Sequence, residues 1–377
     1  MASHHDLEPV EPREAFEEDT LDARYSQAAV LLSVGAAVSG VTDMVPTHES
    51  FAMPDLHPLA GTGPVPLPDA VAELDVAPHD YLTGQIGRIP SDEAARLTRN
   101  LFDGPGRGVA VNTAAALVEA GMHNTSPLVR AAAATAALDT TGPREDVIAE
   151  LEEAAQARDT DTRELARTGL YRANPRHPLL DRYVVNRPEV STRRRRSNTA
   201  VLSHGTWAAR SRWWRPGGDF YTYLDGLTPP LHVHDESYMW SGAYSAAARD
   251  LAADDLVDWV AAQGLDRPDF FAHSHGATVG NLATQRGLRL GRLVVMGLPV
   301  HSAWLPDLAQ VDQLIDVRVR ADLVILADRG GQRLPASRRA DDRVIERRHG
   351  WFSHASTHEP AYWARHDIPS SLLVPVP

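Results

Sequence analysis

Ser274 stands in the sequence Phe-Phe-Ala-His-Ser-His-Gly, which occupies residues 270–276. An apolar run leads into this serine, and the residues after it favour a helix. A serine on a sharp turn between a strand and a helix can attack a carbonyl carbon, provided that its neighbours two positions away are small. Ala272 and Gly276 meet that requirement. The pattern predicts a nucleophilic serine.

A second segment, upstream of the serine, is suited to stabilise an oxyanion. Residues 199–207 read Thr-Ala-Val-Leu-Ser-His-Gly-Thr-Trp, which predicts a buried strand ending at His204-Gly205. Attack on a carbonyl places negative charge on its oxygen, and oriented backbone N–H groups stabilise that charge. One donor follows the serine and the other comes from an earlier loop. We therefore predict the N–H groups of His275 and Thr206 as donors, with Trp207 as the alternative for the second.

Two aspartates downstream are candidates to orient a catalytic histidine. Residues 314–319 form a short segment of alternating apolar residues, and Asp322 follows it. An acid just past a strand can fix the tautomer of a histidine near the serine. Asp322 is the favoured candidate, and Asp328 is the alternative if the strand extends through Ile325.

The histidine is expected near the end of the chain. Residues 344–346 predict a last strand, and Glu359-Pro360 predicts the first turn of a terminal helix, where proline and an acid are both tolerated. His354 lies in the loop between them and is the favoured base. His358 borders the helix and is the alternative, whereas His349 precedes a glycine and is interpreted as a turn residue.

The order of these features along the chain resembles that of the serine esterase/lipase branch of the α/β-hydrolase superfamily. The strand with His-Gly comes first, followed by the serine turn, the aspartate and the histidine. Many members of that branch carry Gly-His-Ser-His-Gly-Gly, and here Ala272 and Ala277 replace the outer glycines. Residues 353–360 are similar to the branch's loop into the last helix. The resemblance covers about residues 195–375. It implies an α/β-hydrolase fold with a doubly wound, mostly parallel sheet.

The expected chemistry is hydrolysis of a carboxylic ester through an acyl-enzyme. Ser274 would attack the acyl carbon, His354 would take its proton and later protonate the leaving alcohol, and Asp322 would stabilise the imidazolium. The substrate is a small-molecule or lipid ester, and no cofactor is expected. A serine at the turn argues against dehalogenases and epoxide hydrolases, which need a carboxylate there. An acyltransferase using the same three residues, and a non-catalytic protein-binding module, are the alternatives.

Histidine pairs offer a competing interpretation. His232 and His234, and likewise His273 and His275, are spaced so that both rings of a pair could share a metal ion from one face of a strand. However, the second pair flanks Ser274, and the first lies between two prolines and two acids, which predicts a loop. We therefore predict no metal site.

Aromatic residues cluster after the His-Gly segment and before the next predicted helix, at residues 245–263. We expect five of them to line a substrate pocket, although packing in the core is the alternative: Trp207, Trp213, Trp214, Tyr238 and Trp240. Residues 298–314 leave little room for a large lid. A cover over the site would come from residues 208–240 or from the N-terminal half.

Composition bounds the remaining possibilities. The chain of 377 residues contains no cysteine and no lysine, so all 37 basic residues are arginine, and its net charge is −13. Residues 1–22 carry a charge of −7, which is unlike a positive secretory leader. The apolar stretch Ala28–Val38 is shorter than the roughly 20 residues of a membrane span and predicts a buried helix. We expect a cytoplasmic protein with no transmembrane segment and no nucleic-acid partner.

Four regions are expected along the chain. Residues 1–90 form an acidic, proline-rich arm with one helix, 91–185 a small all-α domain, 186–197 an arginine-rich linker containing Arg193–Arg196, and 198–377 the catalytic domain. The all-α domain contains four alanine- and leucine-rich stretches: Val109–Ala120, Leu128–Leu138, Asp146–Ala157 and Thr162–Tyr171.

A faint repeat within the all-α domain pairs Arg130 with Arg163 and Thr135 with Thr168 at an offset of 33 residues. It predicts two or three HEAT-like helical pairs, which would bury a shared face. A generic helical bundle is the alternative. Such a domain is expected either to bind a protein partner or to support the hydrolase.

Overall fold

The computed structural model describes residues 24–39, 118–181 and 199–373, apart from residues 26, 30, 37, 120, 228–230, 320–321 and 349–352. Apart from residues 24–39, the proline-rich arm of residues 1–90 lies outside the described residues, as do Arg193–Arg196 and most of the stretch Val109–Ala120. Within the described ranges, no helix combines the length and the apolar character needed to cross a membrane.

A parallel sheet of six strands organises the C-terminal half, and its order is β2-β1-β3-β4-β5-β6. The strands are β1 Thr199–Ser203, β2 His232–Val233, β3 Asp269–His273, β4 Leu290–Met296, β5 Val311–Arg318 and β6 Val344–Arg348. All five neighbouring pairs run parallel. The α/β class predicted from the sequence is confirmed.

Helices cover both faces of this sheet, as a parallel sheet requires. They are α5 Asp219–Asp225, α6 Ala246–Ala262, α7 His275–Gln285, α8 Leu323–Asp328, α9 Ala336–Arg339, α10 Pro360–Arg365 and α11 Pro369–Leu372. Successive residues of β3 show the two faces. Phe270 packs with α6 and α7, whereas Phe271 packs with α5, α10 and α11.

The strand order reverses between β1 and β3, because β2 lies on one side of β1 and every later strand lies on the other. In an open parallel sheet, ligands bind outside the carboxyl ends of the strands at such a reversal. The segments that follow β1 and β3 hold His204-Gly205 and Ser274, the residues that the sequence marked for chemistry.

The N-terminal part of the described chain is helical. It contains α1 Pro127–Thr140, α2 Glu145–Ala154, α3 Thr160–Ala173 and the short α4 Pro178–Asp181. The helices predicted over the last three alanine-rich stretches are therefore present. Residues 24–38 are helical wherever they are described, and Ala28 and Leu32 are fully buried, as expected for the apolar stretch.

Arg130 and Arg163, which are 33 residues apart, make the same kind of backbone contact. The guanidinium group of Arg130 donates to the carbonyl oxygens of Asn124 and Thr125, six and five residues earlier. Arg163 donates in the same way to Ala157 and Arg158. Each arginine fastens the loop that precedes its helix. The two arginines paired by the faint repeat therefore make equivalent contacts.

The two halves share one hydrophobic cluster. Leu323, Leu326 and Ala327 of α8 and Trp207 of the loop after β1 are buried together with residues of α1, α2 and α3. The carboxylate of Asp139 on α1 accepts from Arg172 on α3 and from Arg329, which directly follows α8. The helical half is thus packed against the edge of the sheet at which the strands end.

Candidate active site

Ser274 lies at the turn between β3 and α7, with the unusual backbone angles φ 52° and ψ −130°. A residue other than glycine adopts such a positive φ only where its surroundings impose it, and such strain is concentrated at functional sites. Here Gly276 allows the close approach of α7 to the loop after β1. A Cβ atom at Gly276 would lie 2.2 Å from the carbonyl oxygen of His204. The turn and the loop are therefore in backbone contact.

The loop after β1 is fixed by its own hydrogen bonds. The indole Nε1 of Trp240 donates to the carbonyl oxygen of His204 at 2.8 Å, and Nδ1–H of His204 donates to the carbonyl oxygen of Gly205 at 2.7 Å. His204 is fully buried, and burial lowers its pKa to about 4. The ring is therefore neutral and serves to hold the loop.

Two backbone donors are left open beside Ser274. Within the described residues, neither the N–H of Thr206 nor that of His275 donates a hydrogen bond. The alternative donor, the N–H of Trp207, is already used, since it donates to Gly242 at 2.9 Å. His275 is also the first residue of α7, where the helix dipole is positive. Of the two candidates for the second donor, Thr206 is therefore the one whose N–H is unused among the described residues.

Asp322 and His354 form a buried pair, in which Nδ1–H of His354 donates to Oδ2 of Asp322 at 2.6 Å. The other carboxylate oxygen, Oδ1, accepts from the backbone N–H groups of Val324 and Ile325 and so caps α8. Gln332 fixes the main chain of Asp322 by accepting from its N–H at 2.9 Å and donating to its carbonyl oxygen at 3.2 Å. The contacts with His354, with the first N–H groups of α8 and with Gln332 therefore fix the orientation of the Asp322 carboxylate.

The pairing with Asp322 leaves the second ring nitrogen of His354, Nε2, open. Nε2 is buried and has no hydrogen-bond partner among the described residues. Gly297, after β4, has a φ of 60°, and a Cβ atom there would lie 3.0 Å from Cε1 of His354. Burial favours the neutral ring, but the charges of Asp322 first, and then of Glu164 and Asp161, raise the pKa of His354 to about 9.

The competing acid and base have other partners. Asp328 ends α8, which is a helix and not an extension of β5, and accepts from Nε2–H of His275 at 3.0 Å and Nε2–H of His301 at 2.8 Å. The hydroxyl of Tyr244 also donates to it. Burial raises the pKa of Asp328 well above its usual range.

His358 stacks on Trp213, with ring centroids 4.1 Å apart, and burial lowers its pKa to about 3. His349 lies outside the described residues. Of the alternatives that the sequence left open, the structure joins Asp322 to His354.

The histidines on either side of Ser274 have different surroundings. Nε2–H of His273 donates to the backbone carbonyl oxygen of His354 at 3.3 Å, and the two rings lie 4.4 Å apart. His275 instead faces Asp328 and His301. Among the described residues, no three or more histidine and carboxylate side chains form a group that could hold a metal ion.

A cavity of about 250 Å³, including the open space at its mouth, adjoins Ser274. Its lining residues come from both halves of the protein: Glu164, Thr168, Thr206, Trp207, Tyr244, Ser274, His275, Pro299, Val324 and Asp328. Helix α3 thus closes the space above the carboxyl ends of the strands, and the helical half supplies part of the wall.

The five aromatic residues predicted for the pocket are distributed differently. Only Trp207 is among the lining residues. Trp214, Tyr238 and Trp240 are buried in the cores on the two faces of the sheet, and the Tyr238 hydroxyl donates to the carbonyl oxygen of Ala252. Trp213 is half-buried against His358. These four residues do not line this cavity, so their contact with a substrate stays a prediction.

Sequence reasoning did not find Glu164 and Thr168 as lining residues. Glu164 and Thr168 lie one helical turn apart on α3, more than 100 positions before Ser274. An alanine-rich amphipathic helix gives no sign of which polar residues will face another part of the chain. Only the spacing of four residues, which places both on one face, was available as a signal.

No protein-family model matches this chain, and no curated protein is significantly similar to it. The class of protein is therefore defined by the fold and the site alone. It is a parallel α/β protein in which a strained serine, a buried His–Asp pair and two backbone donors, unpaired among the described residues, lie in the segments after β1, β3, β5 and β6.

Proposed function

We propose that this protein is a serine hydrolase of the esterase/lipase type, with the α/β-hydrolase fold, which cleaves carboxylic esters through an acyl-enzyme on Ser274. The observation that carries the proposal is the pairing of Asp322 with His354 at 2.6 Å, which leaves Nε2 of His354 without a partner. With Nδ1 protonated, Nε2 is the basic atom and can accept the serine proton.

In the proposed reaction, the Ser274 oxygen forms a bond to the acyl carbon while its proton passes to Nε2 of His354. The N–H groups of Thr206 and His275 stabilise the oxyanion that forms. The alcohol then leaves with the proton from His354. Water, deprotonated by the same nitrogen, attacks the acyl-enzyme; the bond between the acyl carbon and the Ser274 oxygen breaks, the acid is released, and His354 returns the proton to that oxygen.

The helical half is proposed to act as a HEAT-like cover for the site. The repeated arginine contacts of α1 and α3 support repeated helical units. The two lining residues from α3, together with the shared hydrophobic cluster, support a role in shaping the cavity.

Fluorophosphonate labelling of the intact protein, followed by mass spectrometry of the modified peptide, tests the proposal. We expect an adduct on Ser274 and none in Ser274→Ala. Labelling should disappear in His354→Ala and should slow by several orders of magnitude in Asp322→Asn, because the asparagine favours the wrong tautomer of His354.

His358→Ala is the matched control, because His358 is the other candidate histidine and lies in the same loop. It should retain labelling within a few fold. If folded wild-type protein gives no adduct on Ser274, or if His358→Ala abolishes labelling while His354→Ala does not, the proposed mechanism is wrong.

A further inference from the structure

Glu164 brings a carboxylate from the helical half into the wall of the candidate active site. It lies on α3, is half-buried, and shares the cavity with Ser274. Thr168, one turn further along α3, donates to the backbone carbonyl oxygen of Glu164 and not to its carboxylate. Among the described residues, the Glu164 carboxylate makes neither an ion pair nor a hydrogen bond.

An unpaired carboxylate in such a position is costly. Burial raises the pKa of Glu164 to about 7, which means that the ionised form lacks adequate solvation or a partner. The positive charges of His354, Arg163 and Arg167 offset this rise in pKa only in part. The guanidinium group of Arg163 itself donates to the carbonyl oxygens of Ala157 and Arg158. A partner from outside the protein would satisfy the group.

The remaining walls indicate what that partner is. Trp207 and Tyr244 stack with ring centroids 5.2 Å apart, and both line the cavity beside Glu164. Asp328, also in the lining, accepts hydrogen bonds from His275, His301 and Tyr244. A carboxylate next to an aromatic wall suits an organic ammonium group, whose charge pairs with the acid while its carbon atoms pack against the rings.

We propose that Glu164 selects substrates, so that the preferred esters carry a cationic ammonium group close to the scissile bond. The inference rests on the proposed ester hydrolysis at Ser274 and specifies its substrate class. The helical half would then have a chemical role, since it supplies the one lining carboxylate that has no hydrogen-bond partner among the described residues, whereas Asp328 of the sheet half has three.

A purely structural or electrostatic role for Glu164 gives a different outcome. If Glu164 acts only by raising the pKa of His354, its replacement changes the rates for cationic and neutral esters by the same factor. If it recognises the substrate cation, the replacement changes the ratio of the two rates. The ratio of kcat/KM values is therefore the decisive quantity.

Two isosteric ester pairs measure this ratio on the full-length protein. β-Alanine ethyl ester and ethyl butyrate differ by an ammonium or a methyl group on the acyl side. Acetylcholine and 3,3-dimethylbutyl acetate differ in charge on the alcohol side. We expect wild type to prefer the cationic member of at least one pair by about tenfold or more, and Glu164→Gln to reduce that preference to about unity.

Glu153→Gln is the control, because Glu153 is an exposed carboxylate of the same helical half and lies outside the cavity lining. It should keep the wild-type ratio. Neutral esters cleaved without any cationic preference, or a preference that survives in Glu164→Gln, would overturn the inference and leave the proposed hydrolase intact. If neither ester pair is cleaved and Ser274 is not labelled, the proposed function fails and the inference fails with it.

Discussion

Asp322 links folding and chemistry through its two carboxylate oxygens. Oδ1 caps α8, so the same helix that buries Leu323 and Leu326 against the helical half also fixes the carboxylate. Oδ2 binds His354. A side chain that is fixed by a helix cap loses little further entropy when it orients a second group. This explains how a loop residue such as His354 can be held in one orientation.

The charges around His354 predict the pH dependence of the reaction. Burial disfavours the imidazolium, but the Asp322 carboxylate, followed by Glu164 and Asp161, raises the pKa of His354 to about 9. His354 must be neutral to accept the serine proton, so kcat/KM should fall about tenfold per pH unit below this pKa. A profile of kcat/KM between about pH 5 and 10 measures it.

Glu164→Gln tests whether the Glu164 carboxylate raises the pKa of His354. Removing a negative charge near His354 destabilises the imidazolium, so the acid limb of kcat/KM for a neutral ester should move to lower pH. Glu153→Gln, whose carboxylate is exposed and does not contribute to the pKa of His354, should leave the limb in place. A wild-type limb near 6.5, the ordinary value for histidine, would contradict the assigned electrostatics.

At the scale of elements, the contact between the serine turn and the loop after β1 determines whether the oxyanion donors are in place. We predict that Gly276→Ala lowers kcat by about 100-fold or more, because its Cβ atom would lie 2.2 Å from the carbonyl oxygen of His204. The clash would separate α7 from the loop, and with them the N–H groups of His275 and Thr206. Steady-state kinetics and thermal unfolding of the same samples measure the effect.

Gly226→Ala is the matched control for this substitution. Gly226 follows α5 with a φ of −86°, and a Cβ atom there would approach nothing closer than 3.4 Å. It should change kcat little. Normal kcat in Gly276→Ala, with the fold intact, would mean that the close backbone contact is not required for catalysis.

The elements were predictable where local patterns determine them. The run from Asp269 to His273 and its helical continuation specify a strand, a turn and a helix through residues adjacent in sequence, and the structure has all three. The order of strands places the segments after β1, β3, β5 and β6 at one edge of the sheet, so candidate residues in them come together.

The cavity was much less predictable. Trp214, Tyr238 and Trp240 are as apolar as any pocket residue, and only three-dimensional packing decides that their rings fill the core. Glu164 reaches the cavity because α3 packs on α8, a contact between segments more than 150 positions apart. Nothing local in the sequence specifies such a distant contact.

On the scale of the whole molecule, charge and apolar packing join the two halves at the same place. Asp139 accepts from Arg172 within the helical half and from Arg329 after α8, while Arg329 also donates to the carbonyl oxygen of Leu32. These residues adjoin the hydrophobic cluster that contains Leu323 and Leu326. Because the cavity wall is shared between the halves, its shape depends on this junction.

Asp139→Asn should therefore destabilise the protein as a whole. The asparagine keeps the size of the side chain but leaves Arg172 and Arg329 close together without a counter-charge, and Arg329 is only 13 % exposed. Removing one partner of a buried ion pair costs about 3–5 kcal/mol, so we expect the free energy of unfolding in urea to fall by about 3 kcal/mol.

Asp146→Asn is the control for this loss, because it breaks the pair between Asp146 and Arg144 on the surface, where the carboxylate is 57 % exposed. An exposed pair contributes less than about 1 kcal/mol, so this variant should unfold close to wild type. Because one hydrophobic cluster contains residues of both halves, we also expect a single unfolding transition in the wild type and in both variants. Two separate transitions would show that the halves unfold independently and that the helical half does not fix the shape of the cavity. Equal losses in the two variants would mean that the Asp139 pair stabilises the protein no more than an exposed pair does.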